Sequence, residues 1–287
     1  METDYGTLPT TFTSVNLGHI QSINISEEEN IEKLSSLNSG HTAATFEDGL
    51  YWASVSIETK ATKASLPQLL KMCLGTVDET TDYTASSSLT LNSYAIKVSY
   101  LTTNIVRILG FAVKDFSISI TKGETVAFTI NGIAKITEKV TETLNTTTNT
   151  DKIFSWLDAS VTVNSEDYVL NNFTIEGNWN VTDDEGRGIE TVPANERRLI
   201  QTVIKNRFDI SGSYEMEIEN TAEIGYEDER TDEAIVLTLE RGTDNEHVFT
   251  LAETRSGSRE YNATIENGKK VVSYNYEALD LSVTGDL

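Results

Sequence analysis

Three short acidic runs are the groups in this sequence that could act as catalysts or metal ligands. They lie at residues 27–29, 183–185 and 227–229. Paired carboxylates can hydrolyse a glycosidic bond when they face each other across a cleft, an arrangement that sequence alone cannot establish. Asp183-Asp184-Glu185-Gly186 could hold Ca²⁺, yet the run lacks the alternating oxygen ligands of an EF-hand loop. The spacing therefore favours neither chemistry.

The remaining reactive side chains do not form a catalytic set. His19, His41 and His247 are each isolated, and no serine lies in a nucleophile-elbow motif. Cys73 is the single cysteine, which excludes an intrachain disulfide and a zinc site built from several thiols. It lies in an apolar run, where we expect a small buried side chain. We predict a protein that is not an enzyme and that has no cofactor and no metal site.

The charge balance argues against a nucleic-acid-binding protein. Asp and Glu number 45 against 22 Lys and Arg, which gives a net charge of -23. Such a surface repels phosphates and releases few counterions from DNA. It suits a wall past which nucleic acid slides without adhering, although the charge alone favours the simpler explanations of solubility or adaptation to high salt. The basic patch Arg197, Arg198 and Arg207 could contact an acidic neighbouring subunit or could be an ordinary solvated surface.

The element that would organise the fold is a β-hairpin between Val113 and Gly132. Phe116, Ile118 and Ile120 alternate with serine and threonine, and a second alternating run follows the turn at residues 122–124. Period-two alternation around a glycine-bearing turn predicts a hairpin with one buried and one wet face. We expect Asn131-Gly132 to end the second strand, and we place the hairpin at the centre of an antiparallel sheet.

The rest of the chain predicts a mainly β protein, an antiparallel sandwich or barrel in one domain spanning residues 1–287. Residues 45–61 predict a strand pair that turns at Asp48-Gly49, and one helix is predicted over about Leu66–Leu74 because Pro67 and Gly75 suit its two ends. Weak self-similarity indicates a duplication of β-hairpins near residue 150. Residues 76–90, 137–151 and 183–200 are expected to be long loops. No run of about 18 apolar residues and no signal-peptide pattern is present, so neither a membrane span nor secretion is predicted.

The order of these features resembles the tail tube (major tail) proteins of tailed viruses of bacteria and archaea. The resemblance lies in the segments LGHIQSINISEEENIEKLSSLNSG, LYWASVSIE, SLPQLLKMCLG, RILGFAVKDFSISITKGETVAFTINGIAKI, FTIEGNWNV and RFDISGSYEMEIE. It implies a sandwich or barrel with a flanking helix that assembles into hexameric rings. The rings would stack into a tube whose acidic lumen conducts the genome, which would give the net charge a purpose.

The same resemblance implies the assembly surfaces and partners. Strand edges left open in one copy would pair with a neighbouring copy. The expected assembly or lumen residues are Phe116, Ser117, Ile118, Ser119, Thr125, Phe128 and Thr129, and Arg197, Arg198 and Arg207 form the expected inter-subunit patch. Tail terminator, tape-measure and baseplate proteins would be further partners, and DNA would pass without specific binding. The protein would reside in the virion tail, after assembly in the host cytoplasm.

A second hypothesis is a secreted β-sandwich module that binds glycans or a cell-surface layer. Such a module needs exposed aromatic side chains on a shallow platform. Trp52, Trp156 and Trp179 are the available candidates, although a core position is the simpler explanation for each of them.

Overall fold

The computed structural model describes residues 2, 5–9, 17–34, 45–77, 82–85, 91–101, 103–142, 150–168, 170–181, 207–218, 233–241, 246–266 and 269–285. These parts are mainly antiparallel β-strand, as the alternation predicts. The strands are β1 (His19–Leu34), β2 (Thr45–Lys60), β3 (Gly75–Val77), β4 (Asp82–Ala85), β5 (Tyr94–Leu101), β6 (Asn104–Thr121), β7 (Ala127–Ala134), β8 (Ile136–Thr141), β9 (Ala159–Val163), β10 (Glu166–Tyr168), β11 (Leu170–Asn178), β12 (Asp209–Ile218), β13 (Glu233–Glu240), β14 (Glu246–Glu266), β15 (Lys269–Ala278) and β16 (Asp280–Gly285). Helix α1 spans Leu66–Leu74, and a 3₁₀ turn spans Trp156–Asp158.

Eight strands form the main sheet, in the order β1-β2-β7-β6-β11-β12-β15-β14. A second sheet has the order β10-β9-β13-β14-β16-β4-β3, and a three-stranded ribbon has the order β5-β6-β8. The long strands β6 and β14 each belong to two of these layers. Both bend where one residue has a positive φ, Gly110 (φ 70) in β6 and Glu253 (φ 52) in β14. A left-handed residue inside a strand kinks it, so each strand leaves one layer and enters another.

The core lies between the main sheet and the second sheet. One continuous cluster of buried side chains includes Phe116 and Ile118 of the main sheet together with Leu237 and Phe249 of the second sheet. Helix α1 adds its apolar side chains to the same cluster. Two sheets that share an interior in this way form a sandwich, which confirms the predicted fold class.

Helix α1 begins and ends where the sequence predicts. Gly75 has φ 81, and its N–H donates to the Lys71 carbonyl, so the left-handed glycine closes the last turn. At the other end, the Ser65 hydroxyl donates to the Thr62 carbonyl and does not cap the helix. Cys73 is buried, as expected, and this burial raises the pKa of its thiol well above the ordinary value. No helix in the described ranges is long and apolar enough to cross a membrane.

The central hairpin is confirmed. Strands β6 and β7 pair with Ser119 opposite Ala127, and they lie in the interior of the main sheet. Phe116, Ile118 and Phe128 are buried, whereas the residues between them are half-buried on the other face. The prediction that Asn131-Gly132 ends the second strand is wrong, because β7 continues to Ala134.

Other local predictions are wrong because pairing with a distant strand prevails over a local turn pattern. Asp48-Gly49 does not turn the chain: Asp48 pairs with Ile31, and β2 is one continuous strand along β1. The loops expected at residues 76–90 and 137–151 are partly strand. Strands β3 and β4 occupy part of the first segment and pair with each other, and β8 occupies residues 136–141 beside β6.

Candidate assembly and channel surface

The main sheet has a polar face, the side directed away from the core. Alternate residues of its strands lie on this face because side chains alternate with a period of two. One row crosses six adjacent strands in register, and each member lies directly opposite the next. The row is Glu58, Thr129, Ser117, Glu176, Ser211 and Glu277. Hydroxyls and carboxylates thus form a continuous polar strip across the sheet.

Carboxylates predominate on this face. At register-matched positions of the described strands they include Glu58, Asp115, Glu176, Asp209, Glu215 and Glu277, and the cations include Lys60 and Arg255. Neutral donors hold two of the carboxylates: Asn131 Nδ2 donates to Asp115 Oδ1 at 2.6 Å, and Ser22 Oγ donates to Glu58 Oε2 at 3.4 Å. An amide or a hydroxyl cancels no charge, so these two carboxylates give the face a negative potential, whereas Arg207 pairs with Asp209.

An open depression lies on the polar face where β11, β12 and β15 meet. Its volume is about 560 Å³, and its lining includes Thr174, Glu176, Ser213 and Glu277. Thr174 and Ser213 are joined by a hydrogen bond of 2.9 Å between their hydroxyl oxygens. Oxygen acceptors and hydroxyls therefore dominate this surface, which suits hydrated cations and water better than anions.

The structure divides the predicted channel residues between the two faces. Ser117, Ser119 and Thr129 lie together on the polar face. Phe116, Ile118 and Phe128 are 2%, 1% and 0% exposed in the core, where they hold the strands in place. Thr125 lies at the hairpin turn, where it forms an isolated bridge with Ser155.

Arg207 is the member of the basic patch that the structure describes, and Arg197 and Arg198 lie outside the described residues. The Arg207 side chain is 83% exposed and forms an ion pair with Asp209. Within this pair the Arg207 Nε–H donates a hydrogen bond to Asp209 Oδ1, which holds the pKa of the Asp209 carboxyl below its ordinary value. Part of the Arg207 charge is therefore neutralised within the chain. A contact with an acidic neighbour remains a prediction.

Both borders of the main sheet are open within the described part of the chain. Strand β1 pairs with β2 alone, and the second half of β14, residues 255–266, pairs with β15 alone. An uncovered strand edge presents backbone N–H and C=O groups to any strand of suitable length. Open edges were expected from the sequence, but their location was not, because strand order depends on contacts far apart in the chain.

The acidic members of the polar face were also missed by the sequence analysis. Glu176 follows Phe173 and Ile175 in the alternating segment FTIEGN, so the alternation already directed Glu176 away from the core. Its register opposite Ser117 is what adds it to the strip. That register could be read only from the paired strands.

One of the three tryptophans is excluded from an exposed aromatic platform for a glycan. Trp179 is 2% exposed, and its Nε1 donates to the Cys73 carbonyl at 2.8 Å. The indole of Trp156 donates to the Leu170 carbonyl, and Trp52 packs half-buried beside Ala112 and Ile133. Trp179 is therefore a core side chain, and the alternative hypothesis loses one of its candidate residues.

No group of His, Cys, Asp and Glu in the described ranges has the proximity that a metal site needs.

Comparison with known proteins identifies a family. A family model described as phage tail tube protein matches residues 1–285, nearly the full length of the chain. No curated protein sequence matches the chain. The family is a structural component of the virion tail and is not a family of enzymes.

Proposed function

Because the chain belongs to the phage tail tube protein family, we propose that its copies close into rings and that the rings stack into a tube. In this proposal the polar face of the main sheet lines the bore through which the viral genome passes. The observation that carries the proposal is the row from Glu58 to Glu277, an acidic strip on the exposed face of a sheet whose two edges are open.

The electrostatic reason is repulsion without adhesion. Two unit charges 10 Å apart in water repel each other by about 0.4 kcal/mol, and salt screens them beyond roughly 8 Å at physiological ionic strength. A wall carrying many carboxylates therefore acts only on phosphates that come close to it. Such a wall keeps the duplex centred and offers no lysine or arginine cluster that would release counterions and retain DNA.

The edges supply the means of assembly. A strand from a neighbouring copy would satisfy the open backbone groups of β1 and of the second half of β14, and the ring would close when each copy has made both contacts. The family resemblance implies hexameric rings. The whole chain, residues 1–287, serves as the subunit.

The remaining contacts are between rings and with other tail proteins. We propose that residues 76–90, 137–151 and 183–200 and the patch Arg197, Arg198 and Arg207 contribute to contacts between rings or between neighbours. Tail terminator, tape-measure and baseplate proteins would bind the ends or the interior of the tube.

The test combines assembly with retention of DNA. Purified full-length protein is assembled, imaged by electron microscopy, mixed with short duplex DNA and treated with nuclease. We expect tubes that protect no DNA. The variant Glu176→Lys/Glu277→Lys should form tubes that protect DNA at low salt and release it at high salt. A matched control, Glu240→Lys/Asp280→Lys, makes the same charge change on exposed residues outside the main sheet.

The outcomes separate the parts of the proposal. If the purified protein forms no ring or tube under any assembly condition, the tube proposal is wrong. If the control protects as much DNA as the Glu176→Lys/Glu277→Lys variant, the polar face does not line the bore.

A further inference from the structure

The two halves of the main sheet have the same strand order. In β1-β2-β7-β6, the pair β1-β2 lies beside the hairpin β6-β7, and β2 pairs with β7, the later strand of that hairpin. The order β11-β12-β15-β14 repeats this pattern. The accessory strands also correspond, since β5 and β8 flank the first part of β6 whereas β13 and β16 flank the first part of β14. Six strands of the first half therefore have counterparts in the second half.

The strand registers of the two halves agree residue by residue. Leu109 pairs with Ile136, and Ala252, which follows Leu109 by 143 positions, pairs with Asp280, which follows Ile136 by 144. The same two spacings relate the pair Ala112 and Ile133 to Arg255 and Glu277, and the pair Phe116 and Ile130 to Arg259 and Tyr274. A shared strand order could arise by chance, but a shared register over three pairs indicates a repeated unit.

The kink of the long strand is repeated together with its hydrogen bond. Gly110 and Glu253 are the residues with positive φ, and they also differ by 143 positions. The carbonyl of the residue just before each kink accepts a backbone hydrogen bond. The donor is the single residue between β7 and β8 in the first half and between β15 and β16 in the second half. The Lys135 N–H donates to the Leu109 carbonyl at 3.0 Å, and the Leu279 N–H donates to the Ala252 carbonyl at 3.3 Å. A bulge then follows the kink in both strands.

We infer that this chain contains two tube-forming units in one polypeptide, so that three copies, and not six, complete a ring of six units. This inference rests on the proposed function. Inside the chain, the first unit is joined to the second by the pairing of β6 with β11, which we call a seam. This seam is then the template for the seam between copies. At that second seam, β14 of one copy pairs antiparallel with β1 of the next.

The template assigns residues to the intermolecular seam. Within the chain, Phe116 lies opposite Gly177. The counterpart of Phe116 is Arg259. The counterpart of Gly177 is Glu27, because Glu27 pairs with Ala53 in β2 as Gly177 pairs with Ile210 in β12. Arg259 of one copy therefore takes the register position opposite Glu27 of the neighbouring copy, and opposite charges at directly opposed positions stabilise a strand pair.

The next pair of residues along the seam is also compatible with strand pairing. Within the chain, Ser117 lies opposite Glu176. The corresponding intermolecular pair is Glu260 opposite Ser26, so a serine and a glutamate again occupy opposed register positions. Glu27 is exposed in a single copy, where Thr137 Oγ1 donates to its Oε1. No pair of like charges arises at these two positions.

The strand count favours three copies. Three main sheets of eight strands give twenty-four strands. At about 4.8 Å between strands, a closed wall of twenty-four strands has a diameter of about 37 Å, and strand tilt widens it further. Six copies would give a wall about twice as wide, in which most of a duplex would lie beyond the roughly 8 Å range of the wall charges.

The first experiment measures the mass of the assembled ring. Native mass spectrometry of rings released from tubes should give about 95 kDa, three times the chain mass of 31.7 kDa. A mass of six chains would overturn the inference and leave the proposed function intact. If neither rings nor tubes form, the proposed function itself fails.

The second experiment tests the seam by exchanging its charges. Glu27→Arg and Arg259→Glu should each raise, by about tenfold or more, the protein concentration needed for ring formation. The double variant Glu27→Arg/Arg259→Glu should restore assembly, and Glu240→Arg, outside the main sheet, should leave it unchanged. Circular dichroism confirms that each variant folds. If the single variants assemble normally, or the double variant does not recover, the assigned seam is wrong.

Discussion

The main sheet contains a position where only glycine fits. Strand β12 passes between β11 and β15, and the Tyr276 hydroxyl reaches across it to donate to the Thr174 carbonyl at 2.7 Å. Gly212 lies beneath this hydroxyl. A Cβ added to Gly212 would lie 2.1 Å from the Thr174 carbonyl oxygen and 2.4 Å from the Tyr276 hydroxyl oxygen. We therefore expect Gly212→Ala to break the hydrogen bond and push the strands apart.

The size of the effect follows from the two terms involved. Overpacking a well-packed interior costs about 1–3 kcal/mol. Leaving the Tyr276 hydroxyl buried without its acceptor adds about 1–3 kcal/mol. Gly212→Ala should thus lower the free energy of unfolding by about 3 kcal/mol, measured by urea denaturation with tryptophan fluorescence. Ser211→Ala, one residue away on the polar face, is the control and should change the value by no more than about 0.5 kcal/mol.

A double-mutant cycle separates the two terms. Tyr276→Phe alone should cost about 1 kcal/mol, because it removes the hydrogen bond and keeps the ring. In the double variant with Gly212→Ala the hydrogen bond is lost only once, so the combined cost should fall short of the sum by about 1 kcal/mol. If Gly212→Ala costs less than about 1 kcal/mol, Tyr276 does not lie over Gly212 and the reasoning is refuted.

Three further predictions concern other parts of the chain. Hydrogen bonds from Arg107 and Lys97 lower the pKa of Glu142 from 4.5 to about 2. The stabilisation is therefore complete above about pH 4.5 and is lost as the pH falls towards 2, and Glu142→Gln should remove this pH dependence from the urea midpoint. The buried Glu2 carboxylate accepts hydrogen bonds from Gly6, Ser93 and Gly110, so Glu2→Gln should cost about 2 kcal/mol in a thermal denaturation experiment. Trp179→Phe removes the indole hydrogen bond to Cys73 and should cost about 1 kcal/mol, measured by urea denaturation.

Each of these three predictions has its own result that would contradict it. An unchanged acid profile for Glu142→Gln would mean that another group determines stability between pH 2 and 4.5. A wild-type melting temperature for Glu2→Gln would show that the N-terminal contact does not hold Gly110 in place. Equal stability of Trp179→Phe would show that the indole hydrogen bond exchanges with water at no cost.

The features that the sequence predicted correctly are those determined by near neighbours. The central hairpin follows from alternating Phe116, Ile118 and Ile120, and helix α1 follows from Pro67 and Gly75 at its ends. Both signals act within a few residues, so they survive in the folded chain. The division into a buried and a polar face was predictable for the same reason.

The features that the sequence did not predict depend on pairing between distant segments. Asp48-Gly49 has the composition of a tight turn, yet β1 offers a full-length partner and the strand continues through it. Strand β8 lies in a threonine-rich stretch with little apolar alternation, and its pairing with β6 determines its conformation. The sequence hinted at duplicated hairpins near residue 150, but the matching registers become visible only when the strands are aligned in the sheet.

The most direct test of the account is a cryo-electron microscopy reconstruction of tubes assembled from this chain or isolated with virions. We predict that the polar face of the main sheet lines the bore, with Glu176 and Glu277 directed towards the axis. A reconstruction in which this face turns outwards, or lies buried against a neighbouring subunit while another surface lines the bore, would contradict the account.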